Sequence, residues 1–189
     1  MNIFIDGFQN VGKTTLLDNS KYKHLRFPFD VYVHDFDLRD PQSLNGFQLG
    51  KDLGMLFGLS VTDNRNITLF DRGPFSTIYY SLKEDRWTKR KYVENFLKHI
   101  KSFKDNIFVF VTKINDETNI KREHNDGFDY LDDDNEKSKD YYLGYLQGIA
   151  NLHEIDLRFF ENDFSKPIEE NIERFNNFLE QVMYEHNRD

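Results

Sequence analysis

The chain has no cysteine, so neither a disulfide framework nor a thiolate metal site can be built from it. That suits a reducing compartment. No apolar run approaches the length that spans a bilayer. The N-terminal Met1-Asn2-Ile3-Phe4-Ile5-Asp6 lacks a basic region followed by a long apolar run, so no signal peptide is expected. A soluble cytoplasmic protein with no membrane partner follows as the expectation. An excess of positive charge is also missing: the formal net charge is −8. Tracking a long nucleic acid needs clustered Lys and Arg, so the overall balance argues against that class while leaving room for a local basic patch. There is no internal repeat and no Pro/Gly/Ser linker. The 189 residues suit one domain, 1–189. Nineteen Phe and ten Tyr give that domain large pieces from which to build a core.

The apolar pattern alternates between strand and helix. Residues 2–6 read as a short buried strand ended by Gly7. A helix is expected from near Lys13 through Leu16 and Leu17. Residues 31–34 read as a second strand. Residues 43–58 read as a helix in which Gly46, Gly50 and Gly54 share one face and would allow close packing. Residues 67–70 form a third strand, followed by a helix from about Ser76. Tyr92, Val93, Phe96, Leu97, Ile100 and Phe103 have helical spacing. Residues 107–111 form a continuous apolar run, as in a strand covered on both faces. Residues 155–159 alternate as a fifth strand, and Ile168, Ile172, Phe175, Leu179 and Val182 mark a C-terminal helix. The predicted class is α/β, a five-stranded parallel sheet with helices on both faces. Ligands in such sheets bind beyond the carboxyl ends of the strands. Residues 113–140 stand apart as polar and charge-rich: either a solvated loop with the start of a helix, or a mobile lid.

One motif carries chemistry. Gly7-Phe8-Gln9-Asn10-Val11-Gly12-Lys13-Thr14 matches G-x-x-x-x-G-K-[ST], between a predicted strand and a predicted helix, which is the context a phosphate-binding loop requires. Its glycines let successive backbone N–H groups face one anion, and the helix N-terminus adds its positive dipole end. Gly7, Gln9, Asn10, Val11, Gly12, Lys13, Thr14 and Thr15 are therefore the expected nucleotide-binding residues, with ATP as donor. Lys13 should reach the β- and γ-phosphates, and Thr14 should bind Mg²⁺. Asp71 ends the third strand. It either supports the metal shell or caps a helix and pairs with Arg72.

Three stretches in order resemble the thymidylate kinase and deoxynucleoside kinase family: the loop ending Gly12-Lys13-Thr14-Thr15, Arg39-Asp40-Pro41, and Asp71-Arg72-Gly73-Pro74-Phe75-Ser76 with Tyr79-Tyr80. Lys121-Arg122-Glu123 followed by Tyr141-Tyr142 is similar to the family's lid and the helix after it. The resemblance implies a P-loop nucleotide kinase fold with a lid at about 113–140 and a small nucleotide as acceptor. It implies that Arg39, Phe57 and Arg72 bind the acceptor, that Arg72 and Arg122 hold the transferring phosphoryl group, and that the protein forms a homodimer. It leads to a deoxynucleoside monophosphate kinase. A deoxynucleoside kinase, with Asp35 or Asp37 as base toward a 5′-hydroxyl, is the alternative. A kinase acting on a hydroxyl of DNA or of a modified base within it is a third, and a nucleotide-dependent switch a non-enzymatic fourth. The chain departs from the thymidylate kinase pattern on the acceptor side. Gln9 replaces an acidic residue, Val61 stands where an arginine is usual (with Arg65 nearby), and the stretch between Leu56-Phe57 and Asp71 is short. These departures leave the acceptor open.

Overall fold

The computed structural model describes residues 1–8, 10–26, 41–60, 67–83, 97–99, 106–115, 136–186 and 188. In chain order the elements are β1 (Asn2–Gly7), α1 (Lys13–Asp18), β2 (His24–Arg26), α2 (Pro41–Ser60), β3 (Thr68–Asp71), α3 (Pro74–Lys83), β4 (Asn106–Ile114), α4 (Glu136–Leu152), β5 (Leu157–Asp163) and α5 (Ile168–His186). The five strands form one sheet in the order β2-β3-β1-β4-β5, and every pairing is parallel.

Parallel strands buried on both faces need apolar residues at every position, and β1 and β4 supply them. Ile3, Phe4, Ile5, Ile107, Phe108, Val109, Phe110 and Val111 are all buried. Register sorts these residues by face. Phe4 is level with Phe70 on one side and Phe108 on the other. The three rings therefore form a row, with Phe4–Phe70 centroids 4.9 Å apart and Phe4–Phe108 5.2 Å. Phe75 of α3 closes on that row, 5.3 Å from Phe108. Tyr142 of α4 meets Tyr79 of α3 edge-on at 5.1 Å, which brings α4 to the same layer. The opposite face takes Phe160, level with Val111, and covers it with Phe175 and Phe178 of α5 at 5.1 and 5.3 Å. Helix α1 packs beside α5. Among the described residues no helix is long and apolar enough to cross a membrane.

Several expectations are revised. The second strand expected at 31–34 lies outside the described residues; the described sheet instead ends at β2, 24–26, whose polar HLR pattern suits an edge. The fifth strand begins later than 155–159 and runs to Asp163. The expected lid, 113–140, is trimmed at both ends. Lys113 and Ile114 continue β4 and Glu136 opens α4, because ladder and helix hydrogen bonds hold those residues. Residues 116–135 lie outside the described set, as do most of those in the helical pattern 92–103. Among the described residues, a Cβ at Gly46, Gly50 or Gly54 of α2 would meet nothing within 4 Å.

The Phe4–Phe70–Phe108 row under Phe75 is a buried aromatic stack that crosses the centre of the sheet. Phe108→Ala should therefore cost about 3–5 kcal/mol of stability. Chemical denaturation reads this directly, and a loss under about 1 kcal/mol would mean that the row is not tightly packed.

Candidate functional site

The loop after β1 leaves the sheet at its carboxyl edge, and two glycines make its path possible. Gly7 has φ +145°, and a Cβ there would lie 2.3 Å from the Val111 carbonyl oxygen of β4. Gly12 has φ +78°, and a Cβ there would lie 2.6 Å from Asn162 Nδ2. Both positions thus exclude any side chain on backbone and space alike. Asn10 also has positive φ, 55°, which asparagine tolerates. Val11 is buried beneath the loop, Thr15 is partly covered, and Thr14 is exposed on the first turn of α1. Gln9 lies outside the described residues.

Lys13 folds back over the loop. Its ammonium donates to the Gly7 carbonyl at 3.1 Å and to the Phe8 carbonyl. Burial pushes it down to about 7, and the nearby Arg72 guanidinium pushes the same way, against the opposing pull of Asp71 and Asp6. Lys13, Arg72, Asp71 and Asp6 are thus close enough to act on one another electrostatically at the ends of β1 and β3.

Arg72 follows β3 in a left-handed conformation, φ 72°, which a non-glycine residue adopts at a cost of about 1–2 kcal/mol. Its N–H donates to the Ile5 carbonyl at 3.0 Å, and its side chain is exposed. The turn is pressed against β1: a Cβ on Gly73 would stand 2.9 Å from the Phe4 side chain. Asp71, expected either in the metal shell or paired with Arg72, pairs with Arg26. Arg26 Nε donates to Asp71 Oδ2 at 2.6 Å while its Nη2 reaches Asp18 at 3.1 Å. Register explains the partner, since Arg26 and Asp71 sit side by side on β2 and β3.

Two acids not singled out from the sequence are fully buried here. Asp6 Oδ1 accepts N–H bonds from Gly73 at 2.7 Å and Ser76 at 2.9 Å, so a carboxylate on β1 caps α3. Burial raises its pKa, and the bonds from Ser76 and Gly73 oppose that rise. Asp52 on α2 accepts from the Thr77 hydroxyl at 2.6 Å and pairs with Lys51 at 2.9 Å. Burial raises its pKa too, against Lys51 and Thr77. An acid directly before Gly7 in an otherwise apolar strand was the available signal for Asp6. Nothing local marks Asp52, which lies 25 residues from Thr77.

Two cavities stand out among the described residues, one beside the loop and one beside Arg72. One, of about 200 Å³, is lined by residues including Gly12, Thr15, Leu16, Asn162, Phe164 and Lys166. The other is a narrow polar cleft among Gln48, Lys51, Arg72, Ser76, Thr77 and Tyr80. Among the described residues, the buried side-chain polar atoms without a hydrogen-bond partner are Asp6 Oδ2, Gln48 Oε1, Asp52 Oδ1, Ser76 Oγ and Asn162 Oδ1. Asp52 Oδ1 keeps its ion pair with Lys51 without hydrogen-bond geometry, and Ser76 lies beside Asp6 without completing a bond. Gln48 and Ser76 line the cleft, Asp6 and Asp52 stand directly behind it, and Asn162 lines the larger cavity. Folding normally satisfies such groups, so their concentration here marks a site shaped for something other than stability.

Among the described residues no three His, Asp or Glu side chains form a cluster able to hold a metal by themselves. The groups present suit Mg²⁺ carried in on nucleotide phosphates, with the exposed Thr14 hydroxyl and the Asp71 carboxylate nearby. Asp35, Arg39 and Arg122 lie outside the described residues, and so does the Phe57 side chain, although its backbone belongs to α2.

No family model and no curated protein sequence matches the chain. Solved structures do. The chain is similar to deoxyadenosine kinase from M. mycoides with bound dCTP, at 17% identity and TM-score 0.54 over 96% of this chain and 100% of that one. It is similar to the same enzyme with the products dCMP and dCDP bound, at 14% identity and TM-score 0.56 over the same shares. Shikimate kinase from Bacteroides thetaiotaomicron matches at 15% identity and TM-score 0.43, over 95% and 98%. The fold is that of the P-loop kinases.

If phosphate replaces the loop carbonyls as the partner of Lys13, its pKa must rise on nucleotide binding. At pH 8 binding should then take up about one proton, vanishing below pH 6. Calorimetry in buffers of different ionisation enthalpy measures this. The free protein gives the opposite sign: with the folded lysine depressed from 10.5 to about 7, stability should rise with pH across that window. Binding without proton uptake at pH 8 would place the Lys13 ammonium away from the phosphates.

Proposed function

We propose that the chain is an ATP-dependent kinase that phosphorylates a small acceptor of the deoxynucleoside class. The observation that carries this is a cavity beside Gly12 and Thr15 together with a separate polar cleft beside Arg72, with Lys13 and Arg72 close enough to couple electrostatically and buried polar atoms lacking hydrogen-bond partners at both. A transferase needs a donor site and an acceptor site meeting at the transferring group. The cavity beside Gly12 and Thr15 is the donor's, with Phe164 supplying an aromatic surface for a base. The cleft beside Arg72 is the acceptor's.

Phosphoryl transfer asks mainly for positioning and charge neutralisation. Loop N–H groups and Lys13 would hold the β- and γ-phosphates. Arg72, its backbone fixed by Ile5 and its turn by Asp6, would present a guanidinium to the transferring group. Mg²⁺, with Thr14 and less directly Asp71 toward it, would neutralise charge on the same phosphates.

The cleft favours an uncharged acceptor hydroxyl over a monophosphate. Of its charged lining residues, Lys51 is paired with Asp52 and Asp71 with Arg26, Arg72 adds a cation, and Gln48, Ser76, Thr77 and Tyr80 offer amide, hydroxyl and phenol groups. These suit the sugar and base of a nucleoside. The full-length likeness to deoxyadenosine kinase supports the same choice. The monophosphate reading keeps one observation in its favour, the exposed cation of Arg72, which would serve an acceptor phosphate equally well.

An acceptor panel with labelled ATP decides between them: deoxynucleosides, their monophosphates and single-stranded DNA. Turnover should be highest on a deoxynucleoside. Lys13→Ala should lower kcat/KM at least about a hundredfold without unfolding the protein, and Arg72→Ala by a similar factor. Monophosphates outpacing every nucleoside would hand the assignment to the second reading. Turnover confined to polymeric DNA, or full turnover in folded Lys13→Ala, would remove both.

A further inference from the structure

The phosphate loop touches a residue from the far end of the chain. Asn162, next to last in β5, is only 7% exposed and donates from Nδ2 to the Val11 carbonyl at 2.9 Å. The amide orientation is dictated by its partner, because a carbonyl can only accept. The same nitrogen occupies the space that any side chain on Gly12 would need. Asn162 Oδ1 is buried without a partner. An apolar side chain would fill that space without stranding an oxygen, so the amide is poorly explained as packing and well explained by what its nitrogen does to the loop.

The support behind Asn162 is rigid. Asn171 of α5 accepts from the Asp163 N–H at 3.2 Å and donates to the Asp163 carbonyl at 2.7 Å. Farther along α5, Asn176 Oδ1 accepts from Ser20 Oγ at 3.0 Å and Lys21 N at 3.2 Å, tying the helix to the chain just beyond α1. The β5–α5 unit thus holds the loop from beneath and α1 from behind.

We propose that Asn162 is the positioning residue of the phosphate loop. By holding the Val11 carbonyl on the protein side, it turns the neighbouring peptide N–H groups outward for phosphate before a nucleotide arrives. The inference rests on the donor half of the function proposed above. It adds that donor-phosphate affinity is set from β5, through a side chain whose hydrogen bond goes to the loop backbone.

Two isosteric variants isolate the clamp. Asn162→Asp keeps the shape and loses the N–H donor; Asn162→Leu keeps the bulk and loses both polar atoms. Binding of ATP, of inorganic tripolyphosphate and of adenosine is measured by calorimetry with Mg²⁺. Both variants should lose about five- to tenfold in affinity for ATP and for tripolyphosphate, the scale of one neutral hydrogen bond. Affinity for adenosine, the KM of the acceptor and the ligand-free Tm should stay within about twofold or a few degrees. Should the variants not fold, the wild-type protein still reports: the Asn162 side-chain amide protons should exchange slowly and shift when tripolyphosphate is added. Unchanged tripolyphosphate binding in folded variants, equal losses for tripolyphosphate and adenosine, or fast-exchanging, unshifted amide protons would each overturn the proposal. Wild-type protein that binds neither ATP nor tripolyphosphate would overturn the donor site as well, whereas normal wild-type binding with unaffected variants overturns the clamp alone.

Discussion

The carboxylate of Asp6 joins the two halves of the site. It sits at the end of β1, one residue before the phosphate loop begins, and accepts the N–H groups of Gly73 and Ser76. Through those two bonds the turn that carries Arg72 is anchored to the strand that carries Gly7. The Arg72 N–H on Ile5 adds a third tie between the same strands. With both ends held, Lys13 and Arg72 meet at one place although 59 residues separate them in the chain, and Gly73 is squeezed so close to Phe4 that no side chain fits.

The arrangement is held at a cost. Asp6 and Asp52 are buried acids whose pKa values are raised by desolvation, so folding works against their charged forms. Lys13 is pushed the other way by the same burial. Arg72 occupies a left-handed backbone, and orphaned oxygens stand around both cavities. Strain and unmet hydrogen bonds of this kind persist only where surrounding structure over-determines them. Here the surroundings are the aromatic rows on the two faces of the sheet. The core is rich in buried Phe where the site is rich in buried polar atoms lacking hydrogen-bond partners, and apolar burial of that kind offsets the cost of the second.

Much of this was legible along the chain. The apolar runs 2–6 and 107–111, the helical spacing of Ile168, Phe175, Leu179 and Val182, and the glycines of the loop all report local requirements. A strand buried on both faces must be apolar throughout, and a loop that wraps an anion must have residues that tolerate positive φ. The strand β2 was not legible, because His24-Leu25-Arg26 is too short and polar to stand out and, among the described residues, pairs only with β3. The boundaries of the 113–140 segment shifted because its ends belong to elements completed by distant partners. The glycine face of α2 meets no partner among the described residues: spacing that permits close packing does not require it.

By itself the sequence determined a parallel α/β protein and marked Gly7 to Thr15 as its candidate phosphate-binding motif, because that motif depends on residues adjacent in the chain and on backbone freedom that glycine alone supplies. The tertiary structure decided everything that depends on distance across the sheet. It paired Asp71 with Arg26 rather than Arg72, because neighbouring strands place those two side by side. It turned Asp6 into the cap of α3, paired Lys51 with Asp52 at the cleft beside Arg72, and brought Asn162 under Val11 from 151 residues away. Hydrogen bonds and ion pairs act over a few ångströms of space, and only folding converts remote positions in the chain into neighbours at that range.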